Sequence, residues 1–281
     1  MKYLVLSLML LLTACAGHHA SPPEAVQNPY QLKAESMARA GVNAMGRGKM
    51  MRAVTLFEQS LKAATLADHA PLISLAWYNL GRARSAAGDV AGAADAFRQA
   101  AGKAAKAGDA VGRQRAELAL ALLETAPALR GIAAAGESSD LILRVPDDYP
   151  IDVHLAAARL AVAKAAAQPG RTARYVDIAS HAYMRVLEKA GADRAGLIYA
   201  ARAHLGLARL TSQSGGQSSG DSVSQAGAAG DLSQAMVLIH RAGAPGLMLE
   251  ALTLAADMET DPQRQDAWLK QAGELRQALK P

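Results

Sequence analysis

The chain contains one cysteine, two phenylalanines and two tryptophans among 281 residues. A single cysteine excludes an internal disulfide and a thiolate metal cluster. Aromatic residues make up only 4% while apolar residues reach 51%, so the apolar content is mostly Ala and Leu. Both are strong helix formers, and the expectation is an all-α fold. Charge of one sign is also lacking, since 30 basic and 25 acidic residues leave a net +5 without a long block of either. No basic stretch is interleaved with aromatics, so nucleic acid is not an expected partner. The chain has no G-x-S-x-G elbow, no Walker loop and no HExxH. His154, His181, His204 and His240 fall on four separate predicted helices with no i, i+4 pair. Adjacent Asp147 and Asp148 sit between Pro146 and Pro150, where such pairs form turns and caps. No catalytic residue, metal or cofactor is therefore expected.

One long hydrophobic run is present. Lys2 precedes Tyr3 to Leu12, interrupted only by Ser7, and small Thr13 and Ala14 follow. A run of this length reads as an export signal over residues 1–14, and it is too short for a mature membrane span. Leu12-Thr13-Ala14-Cys15 resembles the bacterial lipobox. That resemblance implies cleavage before Cys15 and a lipid on its thiol, and Ala16 at the next position implies sorting to the outer membrane, facing the periplasm. Residues 15–31 carry Pro22, Pro23 and Pro29 among small and polar residues, the composition of an extended tether.

Repeats appear at Phe57 and Phe97, forty residues apart. Gly41, Gly48, Ala53, Phe57 and Leu61 are answered at the same offset by Gly81, Gly88, Ala93, Phe97 and Ala101. Trp77-Tyr78-Asn79-Leu80-Gly81, then Gly88-Asp89, Ala93, Phe97 and Ala100, resemble the tetratricopeptide repeat, a helical hairpin. The resemblance implies that Gly41, Ala53, Phe57, Trp77, Leu80, Gly81, Ala93, Phe97 and Ala100 pack hairpins together, the small residues permitting close helix approach. Gly88 ends helix A and Asp89 is placed to cap helix B. Arg84 departs from the family pattern, no proline closes the unit, and the spacing exceeds the usual repeat of about 34 residues. Longer helices, or a longer turn through Asp68-His69-Ala70-Pro71, would absorb the excess.

Beyond residue 108 the pattern is looser. Ala110 to Glu124 reads as a third helix A, while Ala128 to Leu143 is either a degenerate helix B or irregular. Val145 to Pro150 breaks the helical pattern, dividing the array into subarrays 32–145 and 146–281. Helical patterns follow over Asp152 to Ala167, Arg174 to Ala190, Asp193 to Leu210, Gly246 to Met258 and Pro262 to Leu279. Thr211 to Gly230, rich in Ser, Gly and Gln, reads as a flexible insertion, with Gly230-Asp231 opening the next helix. The expected whole is an α-solenoid of about five to six hairpins.

On helix A of the second unit, Tyr78, Arg82 and Ser85 follow one another at i, i+4, i+7, with Asn79 beside them. In tetratricopeptide arrays this face lines a groove, so the resemblance makes these four residues the candidate contact for a protein or peptide partner. The family further implies a scaffold in assembling an envelope machine, such as a pilus, a secretion channel or the outer-membrane insertion apparatus. Two other readings stay open: a docking regulator of peptidoglycan enzymes, and a periplasmic enzyme or ligand-binding protein with a deep polar pocket after residue 150.

Overall fold

The structure is a computed structural model that describes residues 28–125, 140–215 and 222–279. The expected export signal, Cys15 and nearly all of the expected tether lie outside these residues. Eleven α-helices, and no strand, occur among the described residues: α1 (Pro29–Gly46), α2 (Met50–Leu66), α3 (Ala70–Ala86), α4 (Val90–Lys106), α5 (Ala110–Glu124), α6 (Ile151–Ala167), α7 (Thr172–Lys189), α8 (Arg194–Gly215), α9 (Ser222–Ala242), α10 (Pro245–Met258) and α11 (Pro262–Ala278). Each packs on the next in consecutive hairpins, as in an α-solenoid. Contacts that skip one helix join α1 to α3, α3 to α5, α6 to α8 and α8 to α10, and α5 lies directly against α6. One layer is thus α1, α3, α5, α6, α8 and α10, backed by α2, α4, α7, α9 and α11.

The first five helices run on a clock of twenty residues. Helices begin at Met50, Ala70, Val90 and Ala110, and each is preceded by a residue with positive φ: Gly48 at 72°, Asp68 at 50°, Gly88 at 86° and Gly108 at 70°. That left-handed residue turns the chain so that the following N–H reaches back to a free carbonyl of the ending helix. Lys49 donates to Ala44, Asp89 to Arg84 and Asp109 to Ala104, each at 2.9 Å, and His69 donates to Ala64 at 3.3 Å. The same residue can cap the next helix: Asp89 Oδ1 accepts from Gly92 N–H at 2.9 Å and Asp109 Oδ1 from Gly112 N–H at 2.8 Å. The expected excess over the usual repeat is therefore taken up by helix length. α2, α3 and α4 have 17 residues each, and the turn through Asp68 is as short as the others.

Close approach inside each hairpin depends on glycine facing phenylalanine. A Cβ at Gly41 would lie 2.6 Å from the Phe57 ring, and one at Gly81 would lie 2.7 Å from the Phe97 ring. Phe57 also packs with Leu80 and Ala83 of α3, and Phe97 with Leu123 of α5, so each ring ties its own hairpin to the next. Burying a ring of this size stabilises by about 1.5–3 kcal/mol. Ala53, Ala93, Ala100 and Leu80 are fully buried, and Trp77 is half-buried against the Phe57 cluster. The repeat also holds a polar contact that composition hides. Ser60 Oγ on α2 donates to the Ala34 carbonyl on α1 at 2.8 Å, and Ser74 Oγ on α3 donates to the Ala100 carbonyl on α4 at 3.1 Å. Positions 34 and 74 are equivalent, as are 60 and 100, so one bond recurs with its donor on the opposite helix.

The chain breaks at Val145 to Pro150, which is not helical, but the core does not. Leu118 and Ala121 of α5 belong to the same buried cluster as Val153 and Leu160 of α6, Tyr175 and Val186 of α7 and Leu210 of α8. The stretch 128–143 is described only at its end, where Asp140–Leu143 forms a 3-10 turn. The expected loop over 211–230 is corrected from both sides. α8 continues to Gly215 and α9 starts at Ser222, with Ala228 buried, leaving 216–221 outside the described residues. Gly230 and Asp231 consequently lie within α9 rather than at its start. The apolar register inferred after them survives, since Ala235, Ile239 and Ala242 are buried, because periodicity sets the buried face while the position of a helix start depends on local caps.

Candidate functional site

Tyr78 and Arg82 stand one turn apart on α3. The Arg82 guanidinium carbon is 5.9 Å from the Tyr78 ring centroid, and that of Arg115 from α5 approaches the same ring at 5.9 Å. The Phe97 ring lies against Tyr78 with centroids 5.8 Å apart. Arg115 is fixed by a fork to Asp152 of α6, its Nε donating to Oδ2 at 2.6 Å and its Nη2 to Oδ1 at 3.2 Å. Such paired, charge-assisted bonds set the guanidinium plane as well as its position. Farther along the same layer, Arg209 of α8 pairs with Glu250 of α10 at 2.8 Å.

Electrostatic coupling extends this group across the layer. Burial raises the pKa of Tyr78, opposed first by Arg82, with Asp152 raising it further. Tyr199 of α8 is raised by burial and then by Asp152, while Arg202, Arg82 and Arg115 act in the other direction. Arg202 reaches solvent, yet the surrounding protein and then Arg159 of α6 disfavour its charged form, and Arg82 adds to the effect. Side chains of α3 and α8 therefore act on one another although α5 and α6 stand between them. Neighbouring helices lie about 8–10 Å apart, so a flat layer would separate α3 from α8 by roughly 25 Å. A layer curved toward this side brings these long side chains within reach of one another, and this side is termed the concave face.

Of the residues singled out in the sequence, Tyr78 is half-buried on this face and Arg82 is exposed there, while Ser85 is half-buried. Asn79 is only 6% exposed and offers little surface to a partner, because it falls on the buried side of α3 with Leu80 and Ala83. Sequence reasoning missed Arg115, Asp152, Arg159, Tyr199, Arg202, Arg209 and Glu250. A signal did exist: Asp152 and Arg159, like Arg202 and Arg209, are spaced i, i+7, and Tyr199 and Arg202 are spaced i, i+3. Extending the search to i, i+3 and i, i+7 pairs on the predicted helices would have found those five, whereas Arg115 and Glu250 carry no such signal.

The histidines serve separate local roles. His154 is buried, bonded to the Asp147 backbone, with Nε2 unpartnered among the described residues, and burial followed by Lys189 lowers its pKa. His204 Nδ1 lies 2.7 Å from Asp231 Oδ1, joining α8 to α9. No group of three or more His, Cys, Asp or Glu side chains suited to a metal occurs among the described residues. A second concavity of about 860 Å³ lies among α8 to α11, lined by Leu232, Met236, Leu254 and Trp268 with Arg209 and Glu259 at its polar edge. Its lining is more apolar than polar. No described helix is long and apolar enough to cross a membrane. A comparison with models of known families and with curated proteins found no match.

Proposed function

We propose that the chain is a tetratricopeptide-like lipoprotein, tethered through Cys15 to the cell envelope, that serves as a protein-binding scaffold in the assembly of an envelope machine. The observation that carries this reading is the concave face: Tyr78 and Arg82 of α3 meet Arg115 of α5, which is forked to Asp152 of α6, and Tyr199 of α8 feels the charges of Asp152, Arg82 and Arg115. Aromatic and arginine side chains gathered on one curved, accessible surface are the residue types that dominate protein interfaces. The glycine–phenylalanine contacts at Gly41 and Phe57, and at Gly81 and Phe97, support the family resemblance. The Leu12 to Cys15 motif supports the tether.

Crosslinking and affinity capture from the native envelope test this reading. Wild type is compared with Cys15→Ala and with a Tyr78→Ala, Arg82→Glu double variant. The expected result is a defined envelope protein recovered with wild type and lost from the double variant, with Cys15→Ala releasing the chain from membranes. Recovery of the same proteins with and without the double change would overturn the assignment of this face.

A further inference from the structure

We propose that the concave face is a receptor for an acidic polypeptide segment of a partner protein, whose side-chain carboxylates are taken by Arg82, Arg159 and Arg202. The proposal rests on the scaffold reading above and adds the chemistry of its occupant. The face holds five arginines and two carboxylates. Asp152 is committed to Arg115 and Glu250 to Arg209. Arg82, Arg159 and Arg202 are exposed and form no ion pair among the described residues. They come from α3, α6 and α8: Arg82 shares the Tyr78 ring with Arg115, the Arg115 fork to Asp152 leads to α6, where Arg159 lies two turns farther along, and α8 packs on α6.

Gathering like charges on a concave surface is unfavourable unless something opposite binds there, since curvature and low-dielectric walls strengthen their repulsion. Besides desolvation by the protein around the base of its side chain, Arg159 and then Arg82 disfavour the charged form of Arg202, which is the like-charge part of this effect. The Arg115 fork shows the mode of binding a carboxylate on this surface. Tyr78 and Tyr199 are half-buried on this side, and a tyrosine hydroxyl can donate to a peptide carbonyl. An acidic peptide suits the face better than a nucleic acid does. Asp152 and Glu250 remain within it and repel a continuous phosphate backbone, whereas separate carboxylates along a peptide can be placed on the three guanidiniums and away from the two acids.

The test uses the full chain in mild detergent and a fluorescein-labelled octapeptide rich in Glu and Asp, amidated so that no terminal carboxylate contributes. Fluorescence anisotropy is read at about 50 mM and about 150 mM salt. Expected results are saturable binding that weakens with salt, and a five- to tenfold loss of affinity for each of Arg82→Gln, Arg159→Gln and Arg202→Gln, about what one charge-assisted contact contributes. Each Lys variant should recover part of that loss. Arg98→Gln on α4, where Arg98 pairs with Asp95, should leave binding unchanged, and circular dichroism should show every variant folded. The proposal is overturned if the triple Gln variant binds as wild type does, if a Gln and Asn version of the peptide binds equally well, or if a single-stranded oligonucleotide binds more tightly and displaces the peptide. Capture of the envelope partner separates this failure from that of the scaffold reading. Loss of the partner in the Tyr78→Ala, Arg82→Glu variant but not in the triple Gln variant would leave the scaffold standing and remove the acidic segment.

Discussion

Helices α1 to α5 and helices α6 to α11 reach the same hairpin architecture by different means. In the first group the turns are interchangeable: a left-handed residue every twenty positions, a three-residue connection, and a phenylalanine seated on a glycine. In the second group the described helices run from 14 to 22 residues and their connections differ from one another, among them a 3-10 turn at Pro169–Arg171 and a turn at Gly243 with φ of 59°. This half also seats one aromatic on a glycine, Tyr183 of α7 against Gly206 of α8, but what distinguishes it is a larger apolar cluster and a set of specific polar ties. Lys164 donates to Asp140 Oδ1 at 2.9 Å, Tyr175 OH to the same oxygen at 3.0 Å, and Arg174 pairs with Asp140 Oδ2 at 3.2 Å. A repeat built on backbone geometry leaves a mark in the sequence at fixed intervals, whereas one built on side-chain pairs does not. The concave site spans both halves, with Tyr78, Arg82 and Arg115 from the first and Asp152, Arg159, Tyr199 and Arg202 from the second.

Adding a methyl group where a ring closes on a helix of the regular half gives the largest expected effect. Gly81→Ala places Cβ against the Phe97 ring, and the helices must part or the ring must leave its place, at a cost of about 2–3 kcal/mol. Gly102 on α4 has open space around its Cβ position, so Gly102→Ala is expected to stabilise by about 0.5–1 kcal/mol through helix propensity. Urea denaturation of both variants checks the pair. Equal effects of the same sign would mean that the glycine–phenylalanine contact does not define the repeat.

The irregular half is challenged through Asp140. The hydrogen bond from Lys164 is the main cause holding this carboxyl below the usual carboxylate range, with Tyr175 and Arg174 acting the same way and desolvation opposing them. Because the folded pKa is depressed, the stabilisation is present above the unfolded value near 4 and is lost as pH falls through the folded value. Asp140→Asn is expected to cost about 1–2 kcal/mol at neutral pH, a partly exposed network contributing less than a buried one. The variant should also show a shallower loss of stability on acidification below about pH 4. Thermal melts of both proteins from pH 7 to pH 2.5 measure this, and parallel curves would show that the network does not support the fold.

How much was legible follows from the same division. The all-α class, the hairpin order and most helix limits after residue 150 could be read from apolar periodicity, because each helix keeps one buried stripe. Gly41 with Phe57, and Gly81 with Phe97, were legible because close packing admits few residue types. Half of the turn clock was missed, since Asp68 occupies a position where the other three turns have glycine, and Gly108 opens a helix with no Phe counterpart. Residues 211–215 and 222–230 were misread because Gly and Ser have low helix propensity, yet packing of Ala228 and Leu232 onto the array overrides it. The site was legible only on α3. Its remaining members come from four further helices, and only the curvature of the layer brings Tyr199 and Arg202 toward Tyr78 and Arg82.

The smallest expected effect is also the sharpest probe of the turn clock. Asp68 is the only non-glycine residue with positive φ among the described residues. Aspartate tolerates the left-handed region better than most residues, but its Cβ still crowds the backbone there, and glycine has no such contact. Asp68→Gly is therefore expected to stabilise the chain by about 0.5 kcal/mol, after offsetting the extra freedom glycine gives the unfolded chain. Gly88→Ala at the equivalent position should cost about 1 kcal/mol in the opposite direction. Chemical denaturation of the two variants, read as shifts of midpoint at constant slope, gives the comparison. If Asp68→Gly destabilises, the Asp68 side chain contributes more to its turn than the strain it imposes. The four turns would then share a backbone path without sharing a cause, and the regularity of the first half would rest on its helix packing alone.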